Sequence, residues 1–172
     1  MREVPWGDLK SIEVQTLHSK LILIVEDYED DAKLLQVLLT NCGIVNPVRI
    51  ALSAEEAMNY LAGGSPFANR SLYPLPAVVF VDLKLPGISG GDLLRWMKAH
   101  PELKHLGVVV LSATGDLTSV QAAYALGANT FLIKPCRAAD LENLVICYPA
   151  FWQRAVPAAL LQPPSVEPPA TG

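Results

Sequence analysis

Residues 77–86 read Ala77-Val78-Val79-Phe80-Val81-Asp82-Leu83-Lys84-Leu85-Pro86, and Gly87 follows. An apolar run, mostly β-branched or aromatic, ends on an acid and is then broken by proline and glycine. A short apolar run between turn residues predicts a strand buried on both faces. The Asp82 carboxylate then emerges at the strand's C-terminal end. In an open parallel sheet, that edge is where ligands and chemistry sit. An acid in that position can also simply cap the turn, so the rest of the chain has to decide.

Other apolar runs flank this one. Lys20–Val25 ends in Glu26-Asp27, Val48–Ala51 is a short second strand, Gly107–Leu111 ends at Ser112, and Thr130–Ile133 ends at Lys134-Pro135. Helical patterns lie between them. Glu29, Asp30 and Asp31 suit a first helical turn, where the dipole favours negative charge, and Leu34, Leu35, Leu38 and Cys42 follow at helical spacing. Ser53 and Glu56 read as a capping box for a helix carrying Ala57, Met58 and Leu61 and stopping at Gly63-Gly64. Ser65–Pro76 reads as a long loop. Ser89 caps a helix with Leu93, Leu94 and Met97 that stops at His100-Pro101. Val120, Ala123, Tyr124 and Leu126 mark another helix ending at Gly127, and Asp140–Cys147 a last amphipathic one. Pro149 must then kink that helix or open a new one at its first position.

Five strands alternating with five helices predict an α/β fold. We expect a flavodoxin-like, doubly wound, five-stranded parallel sheet of order 2-1-3-4-5 with helices on both faces. The domain is expected over 20–148. An N-terminal extension, 1–19, precedes it, in which Ile12, Val14 and Leu17 alternate like a strand. A helical extension, 149–156, and a Pro-rich disordered tail, 157–172, follow it.

The 172 residues suffice for one domain with a sizeable core. The chain is 51% apolar with a net charge of −4 and a pI of about 5.3, and it has no Lys/Arg-rich block, which argues against a nucleic-acid surface. No apolar run approaches the roughly 18 residues of a membrane span, and the N-terminus lacks a signal-peptide pattern, so a soluble cytoplasmic protein is expected. Cys42, Cys136 and Cys147 are odd in number and lack metal-ligand spacing. They are expected to be buried free thiols in a reducing compartment.

Each chemically active side chain follows a strand: Glu26 and Asp27 the first, Asp82 the third, Ser112 the fourth, Lys134 the fifth. Singly, such acids cap turns and such lysines are solvated. Together, in sheet order 2-1-3-4-5, they converge on one edge. Three carboxylates and one ammonium leave a charge of −2, which suits a hard divalent cation such as Mg²⁺ together with phosphate oxygens. Asp82 is the candidate nucleophile, since carboxylates can form aspartyl phosphates. Lys134 supplies a point charge for phosphoryl oxygens, and Ser112 a hydrogen bond.

With Val25-Glu26-Asp27, Val81-Asp82 through Leu85-Pro86-Gly87, Leu111-Ser112-Ala113 and Ile133-Lys134-Pro135 in this order, the chain resembles the receiver domain of two-component response regulators over roughly 20–148. The resemblance implies phosphotransfer from a sensor histidine kinase onto Asp82. It implies Mg²⁺ held by Asp27, Asp82, the Lys84 backbone carbonyl and water, with Glu26 in support. It also implies that Ser112 and Lys134 contact the phosphoryl group and that Phe131 is the switch aromatic, although Phe131 also suits an ordinary half-buried strand position. The loop at 65–76 and the Phe151-Trp152 segment resemble the single-domain regulators paired with phytochrome-type light-sensing kinases, in which the last helix and its extension commonly form a homodimer contact. Tyr148, Phe151 and Trp152 are accordingly the dimer candidates; they could instead fold back on their own domain. Two positions depart from the common pattern. Lys84 places a cation beside Asp82, where it could screen the phosphoryl group or compete with Mg²⁺, or simply be solvated. Thr114 lacks the acid or amide that can position an attacking water, so slow hydrolysis of the phosphorylated form is expected.

Three other readings compete. An FMN carrier would share this sheet, but the acids after the first strand repel an unaccompanied phosphate. A haloacid-dehalogenase-type phosphatase wants an acid where Lys84 stands. A receiver-like docking or dimerisation module that works without phosphorylation is the alternative that Lys84 keeps open.

Overall fold

Strands β1 (Ile22–Val25), β2 (Val48–Ala51), β3 (Val78–Asp82), β4 (Gly107–Ser112) and β5 (Thr130–Ile133) form the sheet. The structure, a computed structural model, describes residues 20–153. The strands are parallel and ordered β2-β1-β3-β4-β5, as expected from the sequence. Every residue of β1, β3 and β4 is buried, which is why these strands read as continuous apolar runs.

The helices are α1 (Glu29–Asn41), α2 (Ala54–Ala62), α3 (Gly90–Ala99), α4 (Leu117–Ala125) and α5 (Ala138–Cys147). The chain moves outward from β1 to β2, then turns back across β3, β4 and β5. With right-handed crossovers, that reversal places α1 and α5 on one face and α2, α3 and α4 on the other. Strand residues alternate between the two faces. Ile22, Ile24, Phe80 and Leu111 pack with Leu35 and Leu39 of α1 and Leu141 and Leu144 of α5. Leu23, Val25, Val79 and Val81 pack with Ala57 and Leu61 of α2, Leu93 and Met97 of α3 and Ala123 of α4.

Local signals hold with two differences. Ser53 Oγ accepts from Glu56 N at 3.1 Å, and Ser89 Oγ from Asp92 N at 3.2 Å. The Glu56 carboxylate, however, accepts from Leu52 N at 3.0 Å rather than from the cap residue itself. Helix α4 begins before its apolar spacing does, because Asp116 caps it. The segment at 65–76 is pinned. The Tyr60 hydroxyl donates to Pro74 O at 2.6 Å, and Arg70 donates to Tyr60 O at 2.8 Å and Leu61 O at 2.5 Å, closing the end of α2. The Arg49 guanidinium lies over the rings of Phe67 and Tyr60, 4.5 and 4.9 Å from their centroids.

The C-terminal expectation needs correction. Pro149 does open a new segment, but it is one 3-10 turn, Pro149–Phe151, after which Trp152 is extended. Residues 154–156 of the expected helical extension lie outside the described residues, as do 1–19 and the tail 157–172. Trp152 is not an exposed dimer residue. It is 4% exposed, packed 6.3 Å from the Phe80 ring centroid. Asn46 locks this turn down, donating to Phe151 O at 3.0 Å and accepting from Gln153 N at 2.5 Å. Among the described residues the cysteines form no disulfide, but Cys147 is exposed and Cys42 and Cys136 only half-buried. Cys147 ends α5 on its solvent side, so its thiol is not the buried one expected.

Candidate functional site

Register brings the site together. Val25 pairs with Val81, so Glu26 and Asp82 leave β1 and β3 at one height, where the strand order reverses. Such a switch point is the usual crevice of a doubly wound sheet. Asp82 pairs with Leu111 and Ser112 with Ile133, so Lys134 emerges just above Ser112.

The side chains then converge. Lys134 Nζ lies 2.7 Å from Glu26 Oε2, 2.8 Å from Asp82 Oδ2 and 3.0 Å from Asp31 Oδ2. Asp82 Oδ1 accepts from Lys84 N at 2.8 Å. Glu26 and Asp82 are 1% and 6% exposed. Burial holds the Glu26 carboxyl above its ordinary range; Asp82 adds to this and the Lys134 hydrogen bond opposes it. Burial works against the Lys134 charge as well, but hydrogen bonds to Asp82, Glu26 and Asp31 outweigh it and hold the ammonium well above the usual lysine range. The cluster is therefore short of positive charge.

Glu26, Asp27 and Asp82 each bring an oxygen within 4.8 Å of the others. Among the described residues, Glu26 Oε1 is buried without a hydrogen-bond partner, a costly state for a carboxylate oxygen. An all-oxygen donor set with one unsatisfied acceptor fits a hard divalent cation. Lys84 is exposed and lines the same cavity of about 430 Å³, whose other wall is apolar and includes Leu34, Leu38 and Pro135.

Not every expected residue points inward. Ser112 is 2% exposed, and its hydroxyl contacts, among the described residues, are to Thr114: it accepts from Thr114 N at 3.2 Å and lies 3.5 Å from Thr114 Oγ1. Among the described residues, that hydroxyl does not hydrogen-bond the Asp82 or Lys134 side chain; the Lys134 backbone N–H instead donates to the Ser112 carbonyl at 2.8 Å. Phe131 is half-buried, paired with Val110 and packed against the α2–α4 core. Tyr148 stacks on Phe151 at 5.6 Å and donates to Asn129 O at 2.6 Å, away from the site.

Two residues that serve the site were not singled out from the sequence. Asp31 is one of the three carboxylates on Lys134; it stands in the acidic first turn of α1 beside Glu29 and Asp30, with no sequence signal to single it out from them. Gly90 begins α3 directly against β3, with Gly90 N donating to Leu83 O at 3.2 Å. A Cβ there would overlap the Asp82 carbonyl oxygen. The Gly90-Gly91 pair immediately after a capping serine was its signal.

Comparison with known proteins agrees with this geometry. The response regulator receiver domain profile matches residues 22–146. The chain is 34% identical over 142 residues to the response regulator Rcp1 of Synechocystis sp., covering 81% of this chain and 95% of that protein. The crystal structure of the Mn(2+)-bound form of Rcp1 superposes with a TM-score of 0.65 at 33% identity, covering 80% of this chain and 96% of that one. The phosphorylated cyanobacterial phytochrome response regulator RcpA gives a TM-score of 0.65 at 31% identity, over 78% and 94% of the two chains. No helix among the described residues is long and apolar enough to cross a membrane.

Proposed function

Because the chain belongs to the response regulator receiver family, we propose that it is a signalling protein that accepts a phosphoryl group from a histidine kinase on Asp82. One observation carries the reading: the buried Asp82 carboxylate is held by Lys134 Nζ and Lys84 N, both at 2.8 Å, beside two further carboxylates. An Asp82 oxygen attacks the phosphorus of phosphohistidine; the P–O bond forms, the P–N bond breaks, and the imidazole leaves with its electron pair and takes up a proton. Lys134 follows the transferring oxygens. Glu26, Asp27 and Asp82 would hold Mg²⁺, which supplies charge neutralisation for the phosphoryl oxygens. Phosphorylation takes Asp82 from −1 to about −2 and adds strong acceptors. Ser112 and Phe131 are the proposed switch residues on the strands beside it.

The relatives named above support a phytochrome-type kinase as the proposed donor. For output we propose contact with proteins, including a second copy across α4, β5 and α5, where Leu117, Tyr124, Ile133 and Ile146 are exposed. Slow loss of the phosphoryl group is expected, because Thr114 offers no acid or amide to an attacking water. Incubation with a small-molecule phosphodonor and Mg²⁺ is expected to give a phosphoprotein that hydroxylamine cleaves, with a lifetime of minutes or more. A hydroxylamine-stable label would place the phosphate on a hydroxyl and overturn the reading. A lifetime of seconds would overturn the expectation for Thr114.

A further inference from the structure

The loop joining β4 to α4 carries a chain of hydrogen bonds that phosphoacceptance does not use. Ser112 is almost fully buried, so its hydroxyl proton needs a protein acceptor. Thr114 N donates to Ser112 Oγ at 3.2 Å, and Thr114 Oγ1 lies 3.5 Å from it. Thr114 Oγ1 in turn donates to Asp116 Oδ2 at 3.2 Å. With that proton committed, the Thr114 oxygen can only accept from Ser112. The chain therefore runs from the Ser112 hydroxyl through the Thr114 hydroxyl to the Asp116 carboxylate. Its inner link is the longest and the first to give way.

Asp116 is also the N-cap of α4. Its Oδ1 accepts from Ser119 N at 2.9 Å and its Oδ2 from the Ser119 hydroxyl at 2.7 Å. The Ser119 bonds, with a lesser one from Thr114, hold the Asp116 carboxyl below its ordinary range, so it is an anion at neutral pH. Helix α4 has a thin buried face, with Ala123 its buried residue and Leu117 and Tyr124 71% and 50% exposed; its far end is tied to α3 by Lys98 Nζ, which donates to Ala125 O at 2.9 Å, so its first turn rests mainly on the Asp116 cap. Between Thr114 and Asp116, Gly115 lets the loop lie directly on β5, because a Cβ there would overlap the Ile133 side chain.

We propose that Thr114 and Asp116 are positioning residues that hold the Ser112 hydroxyl off the phosphoacceptor and pass its departure to the first turn of α4. The proposal rests on the reading of Asp82 as phosphoacceptor. Phosphoryl oxygens on Asp82 compete with Thr114 for the Ser112 proton. When Ser112 turns to them, the Thr114 amide and hydroxyl lose their inner partner together. The hydrogen bonds left to Thr114 and Asp116 are then those on the α4 side, and the cap loosens.

The test is amide hydrogen exchange by NMR on the full chain, with and without beryllium fluoride and Mg²⁺ as a stable phosphoryl mimic. In the native protein the mimic is expected to speed exchange of the Ser119 amide about fivefold, the factor for weakening one exposed hydrogen bond. In Thr114→Val that acceleration is expected to be present already without the mimic, and the mimic adds little, while the Phe131 amide still responds. Asp116→Asn, which keeps a capping side chain but is a weaker acceptor, is expected to fall between the two. Equal Ser119 exchange in native and Thr114→Val protein without the mimic overturns the proposal, as does an equal mimic effect in both. The Lys84 amide, donor to Asp82, reads mimic binding separately. If it does not move in the native protein, the phosphoacceptor reading has failed, and the mimic-free comparison still decides the role of Thr114.

Discussion

Among the described residues, Lys134 is the one ammonium facing Glu26, Asp31 and Asp82 at hydrogen-bond distance. Removing it leaves Glu26 buried and uncompensated, the situation that makes breaking a buried pair expensive. Lys134→Ala is expected to cost about 3 kcal/mol in urea denaturation without metal, and Mg²⁺ is expected to return part of it. A loss that Mg²⁺ does not reduce would count against a cation at these carboxylates. In the native protein, Mg²⁺ at ten times its dissociation constant is expected to add about 1.4 kcal/mol, and Asp27→Asn to abolish most of that gain. At Cys136, burial pushes the thiol up to about 11, with Asp140 adding to the shift. Its folded value lies above the free-thiol value of about 8.5. The folded state thus keeps the proton, and this contribution to stability is present below that pH and is lost as pH rises toward the folded value. At pH 8, iodoacetamide is expected to label the exposed Cys147 well before Cys136, read by peptide mapping; equal rates would contradict the burial argument. The residues that end strands were legible in the sequence because each is a polar break after an apolar run. Asp31 was not, because its sequence neighbours are also acids and only the fold shows which of them faces Lys134.

At the scale of elements, α3 reaches β3 through Gly90. Gly90→Ala must push the helix start away from the Asp82 carbonyl and is expected to cost roughly 1–3 kcal/mol by overpacking. It is also expected to slow phosphorylation, because the same displacement moves the backbone that positions Asp82. Unchanged stability would show that the helix start can shift freely. The strands and the first three helix starts were readable from runs, caps and an acidic first turn, whereas the last helix, read from Asp140, begins at Ala138. Helix α4 was placed late because its apolar face is thin and Leu117, beside its Asp116 cap, is 71% exposed and off the buried face that the apolar spacing follows. For Trp152 the sequence left two readings, a dimer contact or a fold back onto the domain. A large apolar group after the last helix looks like a surface patch in sequence, and contacts of its segment with Lys20, Val45, Asn46 and Phe80, all far back in the chain, show that it is buried in its own domain.

For the whole molecule, the crossover reversal sets two separate tasks. The face with α1 and α5 carries Asp31 and the cavity wall; the other carries Phe131 and the exposed residues of α4. The proposed homodimer lies at the β5 edge of the sheet, where α4 of the second face and α5 of the first flank the strand. Tyr124→Lys with Ile133→Lys is expected to abolish it in sedimentation velocity, since both side chains are half exposed and their exchange leaves the core intact. An unchanged sedimentation coefficient would remove that face from the interface. Phosphoacceptance rests on Asp82, and intact-mass analysis tests it most directly. Native protein incubated with a small phosphodonor and Mg²⁺ is expected to gain the mass of one phosphoryl group, and Asp82→Asn none. No gain on the native protein, or the same gain on both, would contradict it.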